Sequence, residues 1–208
     1  MPPVPEFFEL KFVESFKKIK GIIHVGAHYG EEANEYNRVT KNVVWFEAHP
    51  EYAAKLRDHL SMNFPHQKYF EACLSDEAGE VDFWITKDEF ASSLLKPEYH
   101  QIQNPHAPIV DKITVQTHTF ADFWPTTDLQ LSDYNFLILD TQGSEMKVLR
   151  GIGNHLDQFD IVQAEYSTVE FYEGGAQLDE IREYLSDFKM VYPERTPLIH
   201  ADALFIRR

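Results

Sequence analysis

The sequence predicts an α/β protein built on a mainly parallel, doubly wound sheet with helices on both faces. Short apolar runs rich in β-branched residues alternate with segments of helical periodicity along the chain. Several runs are apolar throughout, as expected for strands that are buried on both faces. The last two apolar segments are short and close together, which indicates an antiparallel pair at the sheet edge.

The first third of the chain predicts a helix followed by a βαβ unit and a third strand. Apolar residues recur at helical spacing from Phe8 to Ile19, and Gly21 ends the pattern. Residues 6–20 are therefore predicted to form an amphipathic helix. Pro50 is well placed in the first turn of a later helix, because its missing N–H has no partner there anyway. The predicted elements after residue 20 are strands 21–25 and 42–48, a helix over 31–40, a helix from Pro50 to about Met62, and a strand over 68–75.

The remaining chain predicts further strands and helices around one long irregular segment. Residues 87–111 contain three prolines and little periodicity, and an irregular segment of this length in a compact domain indicates a substrate loop or lid. The most apolar strand is FLILDT, residues 136–141. The other predicted elements are strands 81–86, 112–118 and 160–167, short helix 120–124, a helix to about Arg150, helix 177–188, and the final pair 190–192 and 203–208.

The composition indicates one compact acidic domain spanning residues 1–208. Asp and Glu number 34 against 19 Lys and Arg, which gives a formal charge of −15, while 43% of residues are hydrophobic. Such a chain can bury a core and is not a disordered acidic tail. Because a negative surface repels phosphate backbones and no long basic run is present, nucleic acid is not an expected partner.

The cysteine content and the N-terminus indicate a cytoplasmic location. Cys73 is the single cysteine, which excludes an intramolecular disulfide and any multi-cysteine metal site. The N-terminal segment is acidic and lacks the basic and apolar regions of a signal peptide. No apolar stretch approaches the ~18 residues needed for a membrane span.

Glycines and acids follow the first two predicted strands. Gly26 and Gly30 allow a tight turn and a close backbone approach to a ligand, but their spacing differs from the dinucleotide-binding pattern. Glu31 and Glu32 oppose pyrophosphate binding and favour a less anionic or a cationic ligand. Glu47 ends the second strand, where an acid can accept hydrogen bonds from both ribose hydroxyls. A nucleoside ligand is therefore predicted.

Two carboxylates follow later strands. Asp140 comes directly after FLIL, and Glu165 after the apolar run of the next strand. If these strands are neighbours, the pair could share a divalent cation, position a hydroxyl or bind an ammonium group. These three alternatives remain open at this stage, as does the alternative that Asp140 is a helix N-cap.

Together these motifs resemble FkbM-type methyltransferases in order and spacing, over about residues 20–206. The matching segments are HVGAHYGEE, VVWFEAHPE, ACLSDEAGEVDFWI, the Ser92-Ser93-Leu94 triplet, LILDTQGSEMKVLRGI, IVQAEYS and FYEGG. The resemblance implies S-adenosylmethionine as cofactor and a class I methyltransferase fold. That fold is a Rossmann-like three-layer α/β sandwich with a seven-stranded, mostly parallel sheet and an antiparallel C-terminal edge strand.

The resemblance also assigns cofactor-binding residues. Those around the methionine part of the cofactor are Gly26, Ala27, His28 and Gly30; Glu47, followed by Ala48, binds ribose; Leu74 and Ser75 meet adenine, with Asp76 nearby; Asp140 and Gln142 face the methionine amino group and the transferred methyl. Most relatives have an Asp at the position of His24, so a carboxylate contact to the cofactor amine through this residue is not expected. His24 is interpreted as a core histidine.

The implied reaction is O-methylation of a sugar, glycan or secondary-metabolite hydroxyl. Asp140 and Glu165 are the candidate catalytic groups, either as Mg²⁺ ligands or, without metal, as the base, a role for which His200 and His118 are alternatives. The candidate acceptor residues are Ser92, Ser93, Tyr99, His100, Tyr172 and Asp202.

Other functions remain open on the sequence alone. One is N-methylation of a small amine or peptide, and another is a nucleoside-binding domain without turnover. FkbM modules often accompany glycosyltransferases, so a partner glycosyltransferase domain or a homodimer is also compatible with the sequence.

Overall fold

The computed structural model describes residues 10–97, 107–193 and 199–208. Its main sheet has seven strands in the order β3-β2-β1-β7-β8-β10-β9. These are β1 (Ile22–Val25), β2 (Val43–Glu47), β3 (Lys68–Glu71), β7 (Phe136–Leu139), β8 (Ile161–Ser167), β9 (Phe188–Tyr192) and β10 (His200–Arg207). The pairs among β1, β2, β3, β7 and β8 are parallel, whereas β10 is antiparallel to both β8 and β9. The predicted doubly wound α/β class is confirmed.

Three strands form a second, smaller sheet in the order β4-β6-β5. They are β4 (Cys73–Leu74), β5 (Gly79–Thr86) and β6 (Ile109–His118). The single strand predicted over 68–75 was wrong in this respect, because Ala72 separates β3 from β4 and the two strands belong to different sheets. The segment predicted as an irregular loop over 87–111 also contributes the first residues of β6.

Six α-helices are present in the described part of the chain. They are α1 (Leu10–Glu14), α2 (Ala33–Val39), α3 (Pro50–Asn63), α4 (Phe120–Phe123), α5 (Glu145–Ile152) and α6 (Leu178–Tyr184). The helix predicted over 6–20 is observed only at Leu10–Glu14, and its first residues lie outside the described ranges. Within these ranges, no helix has the length and apolar character required to cross a bilayer.

The helices cover both faces of the main sheet, because successive side chains of a strand point to opposite faces. One core contains Ile23, Val25, Leu137 and Leu139 and packs against α4, α5 and α6. The core on the other face contains Ile22, Trp45 and Ile138 and packs against α1, α2 and α3. Both faces of the parallel strands are therefore buried, which explains their continuous apolar sequences.

The antiparallel final strand lies one place in from the edge of the sheet. β10 pairs with β8 on one side and with β9 on the other, so β9 forms the edge. The expected antiparallel pair at this end of the sheet is observed, with β10 inside and β9 outside. This arrangement places Asp202 of β10 directly opposite Glu165 of β8.

Candidate active site

A cleft lies beyond the carboxyl ends of β1, β2 and β7, between the main sheet and the small sheet. It encloses about 680 Å³ of space, part of it open to solvent. This is the edge of an open parallel sheet at which ligands bind. The lining includes Gly26, Glu47 and Asp140 at the three strand ends.

The turn after β1 requires glycine at position 26. Gly26 has a φ of +88°, and a Cβ there would lie 1.7 Å from the backbone oxygen of Asp140. The N–H groups of Gly26 and Ala27 both donate to the carbonyl of Phe46, 3.0 Å away. The turn is thereby held against β2 on one side and against the end of β7 on the other.

Glu47 is buried at the end of β2 and is bound by two backbone groups. The N–H of His28 donates to Oε2 and the N–H of His49 donates to Oε1, each at 2.7 Å. Burial raises the pKa of Glu47 to about 7, although both hydrogen bonds act to lower it. Each carboxylate oxygen can accept a second hydrogen bond, so Glu47 can still bind ligand hydroxyls.

His28 lies over the cleft in a left-handed conformation with a φ of +46°, which is uncommon for a residue with a side chain. Its Nδ1 is 2.6 Å from Oε1 of Glu31, and its ring contacts those of Tyr29 and Phe90 at centroid distances of 3.6 and 4.6 Å. Phe90 belongs to residues 87–94, which we call the cover segment. His28 therefore joins the turn after β1 to the cover segment.

Part of the cleft wall is apolar. Phe46, Leu74, Phe83 and Leu94 line it, together with Ala48 and the buried thiol of Cys73. Burial raises the pKa of Cys73 to about 12, so the sulfur is present as a neutral thiol. Such a wall can pack against the faces of a planar base.

A hydrogen-bonded network of polar side chains lies behind Asp140. Nε2 of Gln142 donates to Oδ1 of Asp140 at 2.8 Å and to Oε2 of Glu165 at 3.0 Å. The other oxygen of Glu165 is 2.9 Å from Nε2 of His200, whose Nδ1 is 2.9 Å from the hydroxyl of Ser167. Asp140 and Glu165 are thus brought together, as expected for the ends of neighbouring strands.

Charge and burial shift the pKa values of these groups. Burial raises the pKa of Asp140 well above its ordinary value, and the nearby charges of Glu165 and Asp202 add to the effect. Asp202 has its pKa raised to about 7, mainly by burial. Burial alone would lower the pKa of His200, but the hydrogen bond and charge of Glu165 outweigh it and raise the pKa. A cluster of perturbed groups beside a cleft is typical of an active site.

Sequence comparison identifies the family. A family model described as the methyltransferase FkbM domain matches residues 24–192, which contain the whole cleft lining. The chain belongs to the FkbM methyltransferase family. None of the curated proteins searched matches the sequence.

Several solved structures with a similar fold are methyltransferases. A methyltransferase FkbM from Methylobacillus flagellatus is 14% identical with a TM-score of 0.57. The match covers 89% of this chain and 43% of the Methylobacillus chain. An rRNA methylase from Streptococcus thermophilus is 10% identical with a TM-score of 0.53, and the match covers 100% of this chain and 98% of the methylase chain. A SAM-dependent methyltransferase from Aquifex aeolicus is 9% identical with a TM-score of 0.51, and the match covers 100% of this chain and 94% of the Aquifex chain. The chain thus has the class I methyltransferase fold and spans less than half of the Methylobacillus protein.

Most residues expected to bind the FkbM cofactor line the cleft. These are Gly26, His28, Glu47, Ala48, Leu74, Asp140 and Gln142. Ala27, Gly30 and Ser75 lie behind the lining, where Gly30 packs against α3 and the hydroxyl of Ser75 donates to Asp76 at 3.0 Å. Asp76 forms an ion pair with Lys147. His24 is buried on the face of the sheet that α1, α2 and α3 cover. Its Nδ1 is 3.1 Å from the hydroxyl of Tyr36, and burial lowers its pKa to about 3.

The candidate acceptor residues are dispersed. Ser92 lines the cleft, whereas the buried hydroxyl of Ser93 donates to the backbone oxygen of Gln142 at 2.7 Å. Tyr172 is buried with its hydroxyl on Gln142, and Asp202 lies beside Glu165. Tyr99 and His100 lie outside the described residues.

Sequence reasoning missed several residues that line the cleft. Tyr52 and Phe83 come from α3 and β5, Glu89 and Phe90 from the cover segment, and Thr141 from the turn after β7. Phe90 is 64% exposed, and an apolar ring in a proline-containing loop was the one available signal. Glu145 is buried beside this turn and accepts hydrogen bonds from the backbone N–H groups of Thr141 and Gly143.

The residues present fit S-adenosylmethionine. Carboxylates of Glu47, Glu89 and Asp140 line the cleft, and its described lining contains no Lys or Arg, which suits a cationic sulfonium ligand. The side chains around Asp140 and Glu165 do not form a suitable set of ligands for Mg²⁺. The amide nitrogen of Gln142 lies between the carboxylates of Asp140 and Glu165, and the described residues contain no group of three or more His, Cys, Asp or Glu able to hold a metal.

Proposed function

We propose that this protein is an S-adenosylmethionine-dependent O-methyltransferase acting on a hydroxyl of a sugar, glycan or secondary metabolite. The observation that carries the proposal is the cleft itself, with the buried Glu47 at the end of β2 and Asp140 at the end of β7. When bound, S-adenosylmethionine supplies an activated methyl group on a sulfonium. The protein has to align the acceptor and remove its proton.

Glu47 and the apolar wall supply nucleoside binding. Glu47 accepts the ribose hydroxyls, while Leu74 and Phe83 pack against the base. His28 and Phe90 close over the cleft from the side of the cover segment. These contacts exclude water from the reacting centre, where it would compete with the acceptor.

Asp140 is the proposed proton acceptor. It lines the cleft, and its raised pKa makes it a stronger base, once ionised, than an ordinary aspartate. Glu165 and His200 lie behind it, linked through the amide of Gln142. We expect Asp140→Asn to lower kcat, measured at saturating S-adenosylmethionine, by about 10²-fold or more.

The experiment that tests the proposal has two stages. Calorimetry with S-adenosylmethionine measures binding, and a methyl-transfer screen with sugars, small hydroxyl compounds and amines then measures turnover. Methylated hydroxyls support the proposal. Binding without turnover on any acceptor would favour a nucleoside-binding domain instead, and failure to bind the cofactor would contradict both.

N-methylation of a small amine or peptide is the second candidate. It is favoured by one observation, that Asp140 and Glu165 together hold the nitrogen of the Gln142 amide. The same carboxylates can orient an acceptor amine. Methylated amines in the screen, with no methylated hydroxyls, would select this alternative.

The negative net charge supports a small-molecule or glycan acceptor over nucleic acid, which the formal charge of −15 would repel. A partner glycosyltransferase domain or a homodimer stays a prediction. Size-exclusion chromatography with light scattering measures the oligomer directly.

We also propose that methyl transfer proceeds without Mg²⁺, in preference to the metal-assisted version. The Gln142 amide already bridges Asp140 and Glu165, and a cation there would have to displace it. We expect activity after EDTA dialysis to equal that of the untreated protein. Loss of activity on dialysis, with recovery on adding Mg²⁺, would contradict this.

A further inference from the structure

Tyr172 lies behind the cleft and holds the amide of Gln142. Its hydroxyl donates to Oε1 of Gln142 at 3.0 Å, while Nε2 of the same amide donates to both Asp140 and Glu165. Tyr172 is only 2% exposed and does not line the cleft. It can therefore influence the reaction only through the groups it touches.

The ring of Tyr172 is fixed against the turn after β7. A Cβ on Gly143 would lie 2.7 Å from the ring, so the absence of a side chain there allows the close contact. The Tyr172 hydroxyl is also 3.4 Å from the backbone oxygen of Ala91. On the same turn, the hydroxyl of Ser93 donates to the backbone oxygen of Gln142 at 2.7 Å. Tyr172 thus stands where the cover segment, the turn and the carboxylates meet.

The Gln142 amide matters because it is the donor shared by two neighbouring carboxylates. Two acids this close repel each other when both are ionised, and N–H donors favour the ionised form. The carboxylates alone would attract the amide nitrogen, but its position depends on what holds the other end. A hydrogen bond to Oε1 also polarises the amide and strengthens its N–H groups as donors.

We propose that Tyr172 is a positioning residue for methyl transfer, acting through Gln142 to hold the carboxylates of Asp140 and Glu165 in place for proton removal. The inference rests on the proposed function for its meaning, since it assigns a role in that reaction. It differs from the acceptor contact that the sequence predicted for Tyr172.

The test uses Tyr172→Phe, which keeps the ring on Gly143 and removes only the hydroxyl. Tyr184→Phe is the matched control, because the Tyr184 hydroxyl donates to a backbone oxygen, that of Leu149, at 3.2 Å on α5. Carboxyl-carbon NMR of protein labelled at Asp and Glu follows the titration without any acceptor. We expect Tyr172→Phe to move the midpoint of the Asp140 titration to higher pH by roughly one unit, and Tyr184→Phe to leave this midpoint unchanged.

A second variant guards against a folding defect in the first. Gln142→Met removes the amide at similar volume and should produce an upward shift at least as large. If Tyr172 acts through Gln142, the double variant will shift no further than Gln142→Met alone. Additive shifts, or an Asp140 titration in Tyr172→Phe identical to that of the unaltered protein, would overturn the proposal.

Kinetics then separate this inference from the proposed function. With an acceptor from the screen, we expect Tyr172→Phe to lower kcat about tenfold and to move the acidic limb of the pH profile upward, with the Kd for S-adenosylmethionine unchanged. A normal pH profile in Tyr172→Phe would contradict the positioning role. Absence of turnover in the unaltered protein would instead contradict the proposed function, and the NMR titration would still report on Tyr172.

Discussion

Glu47 both shapes the cleft and offers hydrogen-bond acceptors to a ligand. Its carboxylate binds the N–H groups of His28 and His49, so the turn after β1 and the start of α3 are set by the same side chain. In the proposed function, the ribose of the cofactor would form hydrogen bonds with an acceptor that is already fixed. Preorganisation of this kind lowers the entropic cost of binding.

We expect Glu47→Ala to weaken S-adenosylmethionine binding by about 10- to 100-fold, because hydrogen bonds to a charged group contribute about 1.5–3 kcal/mol. Glu71→Ala is the matched control. Glu71 ends the neighbouring strand β3 in register with Glu47 but is exposed and does not line the cleft. Calorimetry measures both, and equal affinities for the two variants would contradict the proposed ribose site.

For single residues, the sequence predicted where side chains lie in the fold better than it predicted which groups they contact. Glu47, Asp140 and Glu165 could be predicted because acids directly after buried strands must lie at one edge of a parallel sheet. The bridging role of Gln142 could not, because it depends on a left-handed backbone with a φ of +54° and on Tyr172, which is 30 residues away. No local pattern encodes that contact.

Among the elements, the turn after β1 and the end of β7 approach so closely that no side chain fits at Gly26. We expect Gly26→Ala to lower the free energy of unfolding by more than about 3 kcal/mol, since both the positive φ and the Asp140 oxygen oppose a side chain. Gly79→Ala is the control, because a Cβ at Gly79 has no neighbour within 4 Å. Urea denaturation with equal midpoints for the two variants would contradict this account.

The cover segment is expected to act in cofactor binding through Phe90. The ring is 64% exposed and contacts His28, so a bound cofactor would bury it further. We expect Phe90→Ala to weaken S-adenosylmethionine binding about tenfold through lost apolar burial. Met62→Ala on α3, where the side chain is 77% exposed away from the cleft, should have no effect. Calorimetry showing the same Kd for Phe90→Ala as for the unaltered protein would remove the cover segment from the site.

Element order was predicted well and sheet membership less well. Helix α3 was predicted to within a residue, because Pro50 is favoured at a helix start and Pro65 cannot continue the helix beyond its end. The split of residues 68–75 was missed because β3 and β4 are separated by a single residue, Ala72. Their separation comes from pairing, since β4 finds its partner in β6, more than 40 residues later.

For the molecule as a whole, buried acids dominate the pH dependence of stability. Burial raises the pKa of Glu32, Glu47, Glu145 and Asp202 to about 7, and that of Asp140 well above its ordinary value. Between about pH 4.5 and pH 7 the native state therefore holds protons that the unfolded chain has lost. Stability from these groups is present below the unfolded pKa and is lost as the pH rises through 7.

We therefore expect the Tm of the ligand-free protein to fall between pH 5 and pH 7.5, as differential scanning calorimetry would show. His24 acts in the opposite sense, because its pKa is lowered to about 3 and the unfolded histidine binds a proton more readily, but the acids outnumber it. Glu47→Gln should reduce the fall. A Tm that rises over this range would show that the acids are ionised in the native state. S-adenosylmethionine, as a cation beside Glu47 and Asp140, should also make the fall smaller.

The inner position of β10 has a consequence for biosynthesis. While the ribosome has delivered only the segments up to β9, the outer edge of β8 has no strand to bind, and β9 has no place in the sheet. Both become paired only when β10 enters between them. A nascent chain of this topology therefore presents open strand edges until β10 has been translated. During that interval it depends most on chaperones to avoid aggregation.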